Sequence, residues 1–319
     1  METLTSTSTH IAPATLRDLV PAAELYQRAV EALATTLQQR APWPTQDERE
    51  ADLRQAVRVL ARLHEANERA VVVARAEHTV VGMAAVLIEG DHAHLAYLFV
   101  DPDWQEQGIG AALLESIRAE IDRAGASQVT LASSRDPRAW HRYLRWGLHS
   151  GPPQLAFRTD QPAFPASFQS PVGFATRTMT AADMRAVSEL DRVVRGTDRA
   201  ERLEVWLRES DWAGVVLNDQ DAICGFAFVT VGDDTADAGP IVGRDPESFV
   251  VALDLALFEA GRVANPRDRP WRVDCSARNV HAPPHLLEAG FRLASIVNWF
   301  ETNPIGMWDL ACFRNEDEL

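Results

Sequence analysis

Three groups of residues in this chain have the types and spacing to do chemistry. The first is Gln105-Glu106-Gln107-Gly108-Ile109-Gly110-Ala111, which follows an apolar run ending at Val100 and opens a helical pattern. Glycines at 108 and 110 remove side chains from the turn, so backbone N–H groups can face outward. A helix N-terminus adds unpaired donors and the positive end of a dipole. Together these make an anion site suited to a pyrophosphate. A dinucleotide-binding fingerprint would place a third glycine where Leu113 stands. The second group is His92-Ala93-His94, at the start of the strand-like run His92–Val100. Alternate strand residues share a face, which predicts His92, His94, Ala96 and Leu98 on one side. An imidazole titrating near about 6.5 accepts a proton at neutral pH, directly or through water. Two histidines two apart are half of a metal site, but no third ligand is evident and no metal is expected. The third is Tyr143, one of only three tyrosines, on the amphipathic helix that follows.

These residues need a scaffold. Residues 1–9 are Ser/Thr-rich and expected to fray. Ile11–Ala14 reads as a short strand, and Thr15 with Asp18 as a capping box opening a helix to about Leu37. Pro42 and Pro44 break it around Trp43, and Thr45 with Glu48 caps a second helix with an apolar face at Leu53, Val57, Leu60 and Leu63. Ala70–Ala76, Thr79–Ile88 and His92–Val100 predict an antiparallel meander. A helix over Gly108–Arg123, a strand over Gln128–Ala132, a helix over Pro137–Trp146 and a strand near Gln154–Arg158 follow. This order predicts an α/β fold with a mixed, mostly antiparallel central sheet flanked by helices.

The second half starts over. Thr180 with Asp183 repeats the first cap, Val215–Leu217 and Ile223–Val231 predict another hairpin, and helix Pro246–Val263, strand Arg272–Cys275 and a helix ending at Ala289 follow. Asp136-x-x-Ala139…Gly147-Leu148 recurs at the same offset as Asn279-x-x-Ala282…Gly290-Phe291. The fold therefore reads as duplicated in tandem, with domains at 10–160 and 173–319 and a proline-containing linker at 161–172 that packs across a domain interface.

Length and composition agree. At 319 residues the chain suits two domains of roughly 150. Every one of its 31 basic residues is arginine, against 46 acidic ones, for a formal charge of −15. That argues against nucleic acid as a partner and for a cationic substrate. Cys224, Cys275 and Cys312 have no metal-ligand spacing and point to a reducing compartment. With no apolar leader and no run of about 18 apolar residues, neither a membrane span nor export is expected, and a cytoplasmic location is.

Gln105-x-x-Gly108-x-Gly110, preceded by Val100-x-Pro102, resembles the acetyl-coenzyme A loop of the GNAT superfamily of N-acetyltransferases. Ala139-x-x-x-Tyr143-x-x-x-Gly147-Leu148 resembles that superfamily's tyrosine-bearing helix, at the matching distance. The resemblance covers roughly residues 10–158. It implies the acyl-CoA N-acyltransferase fold, with two central strands that splay apart around the cofactor's arm. It also implies that backbone groups of Gln107, Gly108, Ile109, Gly110 and Ala111, with Gln105 opening the loop, hold the pyrophosphate. Backbone groups of Leu98 and Val100 would then hold the pantetheine, and a backbone N–H of Leu98 or Phe99 the oxyanion. By the same resemblance Tyr143 is the acid that protonates the leaving thiolate and His94 the base. His92 shares that task or sits at the strand mouth, with Glu89 a weaker option. Trp43 lies where the family builds acceptor specificity, to stack on an acceptor or simply to pack.

The second half resembles the second domain of tandem GNAT proteins through Gly225-Phe226-Ala227-Phe228 and Gly239-Pro240, but departs at the chemistry. Only Gly243-Arg244-Asp245-Pro246 precedes its helix, and Leu286 stands in the place of Tyr143. This implies a degenerate domain and speaks against mycothiol synthases, which use the C-terminal one. The expected function is acetyl-CoA-dependent transfer of an acetyl group to a small primary amine by direct attack in a ternary complex. Acetylation of a protein N-terminus or lysine, and a non-catalytic acyl-CoA-binding regulatory module, are the alternatives. A monomer or a homodimer fits equally.

Overall fold

The structure is a computed structural model describing residues 9–39, 41–232, 235–263, 269–304 and 306–313. The opening residues 1–8, read above as fraying, lie outside it. The chain divides into two compact units, Met1–His149 and Ser150–Leu319.

The first unit runs β1 (Thr9–Pro13), α1 (Leu19–Thr36), α2 (Gln46–Ala66), β2 (Val71–Ala76), β3 (Thr79–Glu89), β4 (His92–Val100), α3 (Ile109–Ala124), β5 (Gln128–Ser133) and α4 (Pro137–Arg145). Its strands lie in sequence order, antiparallel except for the parallel pair β4–β5. Both predicted capping boxes form. Thr15 with Asp18 opens a single 3-10 turn that leads into α1, and Thr45 with Glu48 starts α2. Leu25 of α1 and Leu60 of α2 are fully buried against Val71, Val73, Met83 and Ala85, which share one sheet face by strand alternation. Helix α3 covers the other face with Leu113, Ile117 and Ile121. Truncating any one of these core leucines to alanine costs about 2–5 kcal/mol, so the layers hold the strand ends of the site rigidly.

The second unit runs β6 (His149–Thr159), β7 (Phe174–Thr178), α5 (Met184–Arg195), α6 (Ala200–Glu209), β8 (Trp212–Asn218), β9 (Ile223–Val231), β10 (Ala236–Gly243), α7 (Pro246–Ala260), β11 (Trp271–Ser276), α8 (Ala282–Glu288), β12 (Arg292–Glu301) and β13 (Ala311–Phe313). Its strand order is β12-β6-β11-β13-β10-β9-β8-β7. The sequence groups residues 154–158 with the first half. In the structure β6 instead pairs antiparallel with β11, from Gln154 opposite Ser276 to Thr159 opposite Trp271. A strand takes whichever partner completes its ladder, and the order of elements along the chain does not reveal one more than a hundred residues away. The segment read as a linker packs on this second unit. Phe164 meets Trp271 edge-on at 4.9 Å, Phe168 stacks on Phe258 at 6.0 Å, and Ala163 N–H donates to Ala289 C=O.

The repeated signature has the same local role twice. Asp136 caps α4 by accepting from Arg138 N–H, and Asn279 accepts from Ala282 N–H ahead of α8. Gly147 and Gly290 end the two helices in the left-handed region. The sequence reading does not include β7, α6, β10, β12 or β13. Among the described residues no helix is long and apolar enough to cross a membrane.

Candidate active site

The cavity of the first unit begins where β4 and β5 part. Their parallel pairing runs from His92 opposite Gln128 to Leu95 opposite Leu131 and stops. The residues beyond, Ala96–Val100 except Tyr97 on one strand and Ala132–Ser134 on the other side, line a cavity of about 430 Å³. The parting coincides with a bulge. On β3 the neighbours Ala85 and Val86 face Tyr97 and Leu95, which leaves Ala96 as an extra residue on β4. An inserted residue interrupts the strict alternation of side chains and frees the strand from its ladder.

At the far end of the cavity the chain turns into α3. Gly108 has φ 83, a left-handed value that a side chain would strain, and no side chain caps the helix N-terminus it begins. The first N–H groups of a helix have no intrahelical acceptor, so this end presents open donors to the cavity. Glu106 also has positive φ, at 64, which bends the loop before Gly108. Gln105 braces the loop. Its Nε2 donates to Val100 C=O at 3.2 Å, and its Oε1 accepts from Arg138 at 3.1 Å. Arg138 also forms an ion pair with Asp136 at 3.0 Å. Burial pushes the Asp136 carboxyl up, but the hydrogen bonds and charge of Arg138 outweigh this and hold it below its usual range. Next to Gly110 stands Arg142, which also lines the cavity. Arg138, Arg142 and Arg145, with His141 and Trp146, line an adjoining groove of about 420 Å³ along α4. Sequence reasoning did not single out these arginines; their spacing along α4, at 138, 142 and 145, is the signal that marks one basic helix face.

Tyr143 lines the same cavity and is 6% exposed. Burial is the main reason its phenol is pushed up to about 12, which keeps it protonated at physiological pH. Leu98, Phe99, Val100, Gln105, Gly108, Ile109, Gly110 and Ala111 all line the cavity as well. Gln107 lies in the loop but is not among the lining residues.

The two histidines are elsewhere. His92 and His94 are 2% and 1% exposed and do not line the cavity. His92 Nε2 and His94 Nδ1 both bond Thr130 Oγ1, at 2.7 and 2.9 Å. A hydroxyl has one proton to give, so when the rings are neutral one ring accepts from Thr130 and the other donates to it. Both stand where β4 is still paired with β5, His92 opposite Gln128 and His94 opposite Thr130, and the cavity opens only from Leu95 onward. Glu89 faces His92 at the β3–β4 turn and does not line the cavity either. Trp43 packs outside the cavity, its ring 6.1 Å from that of Tyr26, which in turn lies 5.0 Å from the ring of Phe99 in the cavity wall. Among the described residues no group of three or more His, Cys, Asp or Glu side chains converges as a metal site.

The parting parallel strand pair, the uncapped helix N-terminus and the buried tyrosine thus meet in one cavity with open backbone donors at its end. Two family models, each described as an acetyltransferase (GNAT) domain, match residues 44–151 and 187–297. The chain belongs to this superfamily, with two GNAT domains in tandem. The mycothiol acetyltransferase of Clavibacter sepedonicus is 30% identical over 194 residues, a match that takes in 56% of this chain and only 62% of that protein. Among solved structures, a GCN5-related N-acetyltransferase from Sphaerobacter thermophilus superposes with a TM-score of 0.65 at 18% identity, over 95% of this chain and 98% of that one. A tandem GNAT protein from the clavulanic acid biosynthesis pathway superposes with a TM-score of 0.57 at 18% identity, over 93% and 99%. At such identities these likenesses speak to the fold.

Proposed function

We propose that this protein transfers the acetyl group of acetyl-CoA to a primary amine of a small molecule, at the cavity of its first domain. The observation that carries this reading is a single continuous cavity joining the β4–β5 gap, the α3 N-terminus and the Tyr143 phenol. Its volume is within the ordinary range for a small-molecule site. The open N–H groups after Gly108 suit the pyrophosphate, and Arg142 adds positive charge beside it. The freed edges of β4 at Leu98 and Val100 suit the amide groups of the pantetheine arm.

In this mechanism a neutral amine attacks the thioester carbonyl, and a β4 backbone N–H at Leu98 or Phe99 stabilises the oxyanion. The carbon–sulfur bond then breaks, and Tyr143 gives its proton to the leaving thiolate. A phenol held at about 12 remains a donor throughout the physiological range. The base assigned to His94 on the sequence does not fit this geometry, because that imidazole is sealed beside Thr130. The proton of the attacking nitrogen therefore passes to solvent.

The second domain is read as non-catalytic. Where α3 begins uncapped, α7 begins with a closed box: Ser248 N–H donates to Asp245 at 2.8 Å, and Asp245 N–H to Ser248 Oγ at 3.2 Å. A carboxylate stands at the position an anion would take. Leu286, at the place of Tyr143, is fully buried. The likeness to a mycothiol acetyltransferase brings mycothiol chemistry back as a second reading, which would put the active site in this half.

Calorimetric titration of acetyl-CoA into the wild type and a Gly108→Trp variant separates these readings. One site, lost in the variant, supports the first domain as the active one. One site that survives the substitution gives the chemistry to the second, and two sites overturn the reading of that domain as degenerate. Absence of binding overturns the proposal.

A further inference from the structure

Each domain parts its two central strands at the same place, and the openings are filled differently. In the first, the pairing of β4 with β5 ends at Leu95 and Leu131, and a cavity occupies the space beyond. In the second, β10 and β11 stand before and after helix α7 as β4 and β5 stand before and after α3. Their parallel pairing covers only Ala236 opposite Trp271 and Asp237 opposite Arg272. Beyond that point β13 runs between them, antiparallel to both. On one side Ala311 and Cys312 pair with Val242 and Ile241. On the other, Cys312 and Phe313 pair with Cys275 and Asp274. All three residues of β13 are buried. Strands that separate leave N–H and C=O groups along both inner edges, and such groups need partners when buried. In the second domain the chain itself supplies them.

A residue of the repeated signature reaches β13. Asn279 Oδ1 accepts from His281 and Ala282 N–H at 3.1 and 2.8 Å, and its Nδ2 donates to Ala311 C=O at 3.1 Å. Its counterpart Asp136 is an ionised carboxylate with no proton to donate, and it pairs with Arg138 instead. The amide in place of the carboxylate is thus what allows one side chain to cap α8 and hold β13 together. Trp308, just before β13, packs its ring 5.0 Å from that of Trp299 and 5.0 Å from that of Phe313. We propose that β13 is the standing occupant of the second domain's strand gap, held by Asn279, and that it closes this domain to the pantetheine arm of an acyl-CoA. A tethered strand competes at an effective concentration on the order of millimolar, so a free arm must displace it to enter. Asp245 at the start of α7 gives a pyrophosphate no help in doing so. This deepens the reading of the second domain as non-catalytic and rests on it for what the gap would otherwise hold.

The test is hydrogen exchange of the full chain, read by mass spectrometry with and without saturating acetyl-CoA. In the wild type the amides of Ala311–Phe313 should be protected to within about tenfold of those of β9, whether or not acetyl-CoA is present. Asn279→Ser keeps a capping oxygen but is too short to reach Ala311. It should speed exchange in β13 about tenfold and leave β9 and acetyl-CoA affinity unchanged. Phe313→Leu leaves the α8 cap intact and removes the ring against Trp308. It should act in the same direction and covers the case in which Asn279→Ser does not fold. Unprotected β13 amides in the wild type, or unchanged exchange in a folded variant, overturn the proposal. If that chain still binds one acetyl-CoA, lost in Gly108→Trp, the non-catalytic reading stands without it. Exchange in β13 that acetyl-CoA accelerates would mean that the cofactor displaces the strand, and would sink both the closure and the non-catalytic reading. Protected β13 in a chain that binds no acetyl-CoA would sink the acetyltransferase reading and leave the strand in its gap.

Discussion

A Cβ placed on Gly110 would stand 3.0 Å from the Arg142 guanidinium. The missing side chain in the first turn of α3 is thus what allows a cation from α4 to rest against the open helix end. Gly110→Ala should leave the fold intact or stabilise it by up to about 1 kcal/mol, because alanine favours the helix. It should also displace Arg142 and weaken acetyl-CoA binding severalfold. Thermal melting and calorimetry on one sample check both halves; weaker binding with a lowered melting point would mean a folding defect instead.

Tyr143→Phe removes the proposed acid and little volume. Loss of a general acid costs on the order of 10²-fold in turnover, so kcat should fall by about that much while the KM for acetyl-CoA stays within about twofold. Unchanged kcat would show that the thiolate leaves without this proton.

For His94 the expectation is structural. His94→Ala takes a partner from Thr130, a buried hydroxyl that His92 also bonds, and should cost about 1–3 kcal/mol of stability in denaturant unfolding. The acidic limb of the pH–rate profile should not move. A shifted limb would return His94 to the role of base.

The Asp18–Arg75 pair should govern part of the acid stability. Burial raises the Asp18 carboxyl, but bonds from Arg75 and Thr15 outweigh it and hold it at about 2. A depressed carboxylate stabilises the fold above its unfolded value near about 4, and this contribution is lost as pH falls through about 2. Arg75→Ala should lower stability at neutral pH and narrow the gap to wild type between about pH 4 and 2. A difference that does not change over that range would argue that Arg75 acts through packing.

Much of this site was legible in the chain. The glycine loop, the tyrosine helix and the capping boxes are local: a left-handed turn, an uncapped helix end and a Thr/Asp or Thr/Glu pair three apart depend on a few adjacent residues. Residue type and spacing therefore determined where the glycine turn and the open helix end lie in the first domain. The tertiary structure decided what depends on distant partners. The β4–β5 ladder stays closed from His92 to Leu95, which keeps His92 and His94 out of a cavity that opens only from Leu95 onward. The partner of β6 lies in β11, so the unit boundary falls at His149 where the repeat suggested residue 160. Asp52 looks like an ordinary polar residue at the start of a helix, and only the packing of α2 on α1 shows its carboxylate accepting from Gln27 and Tyr26.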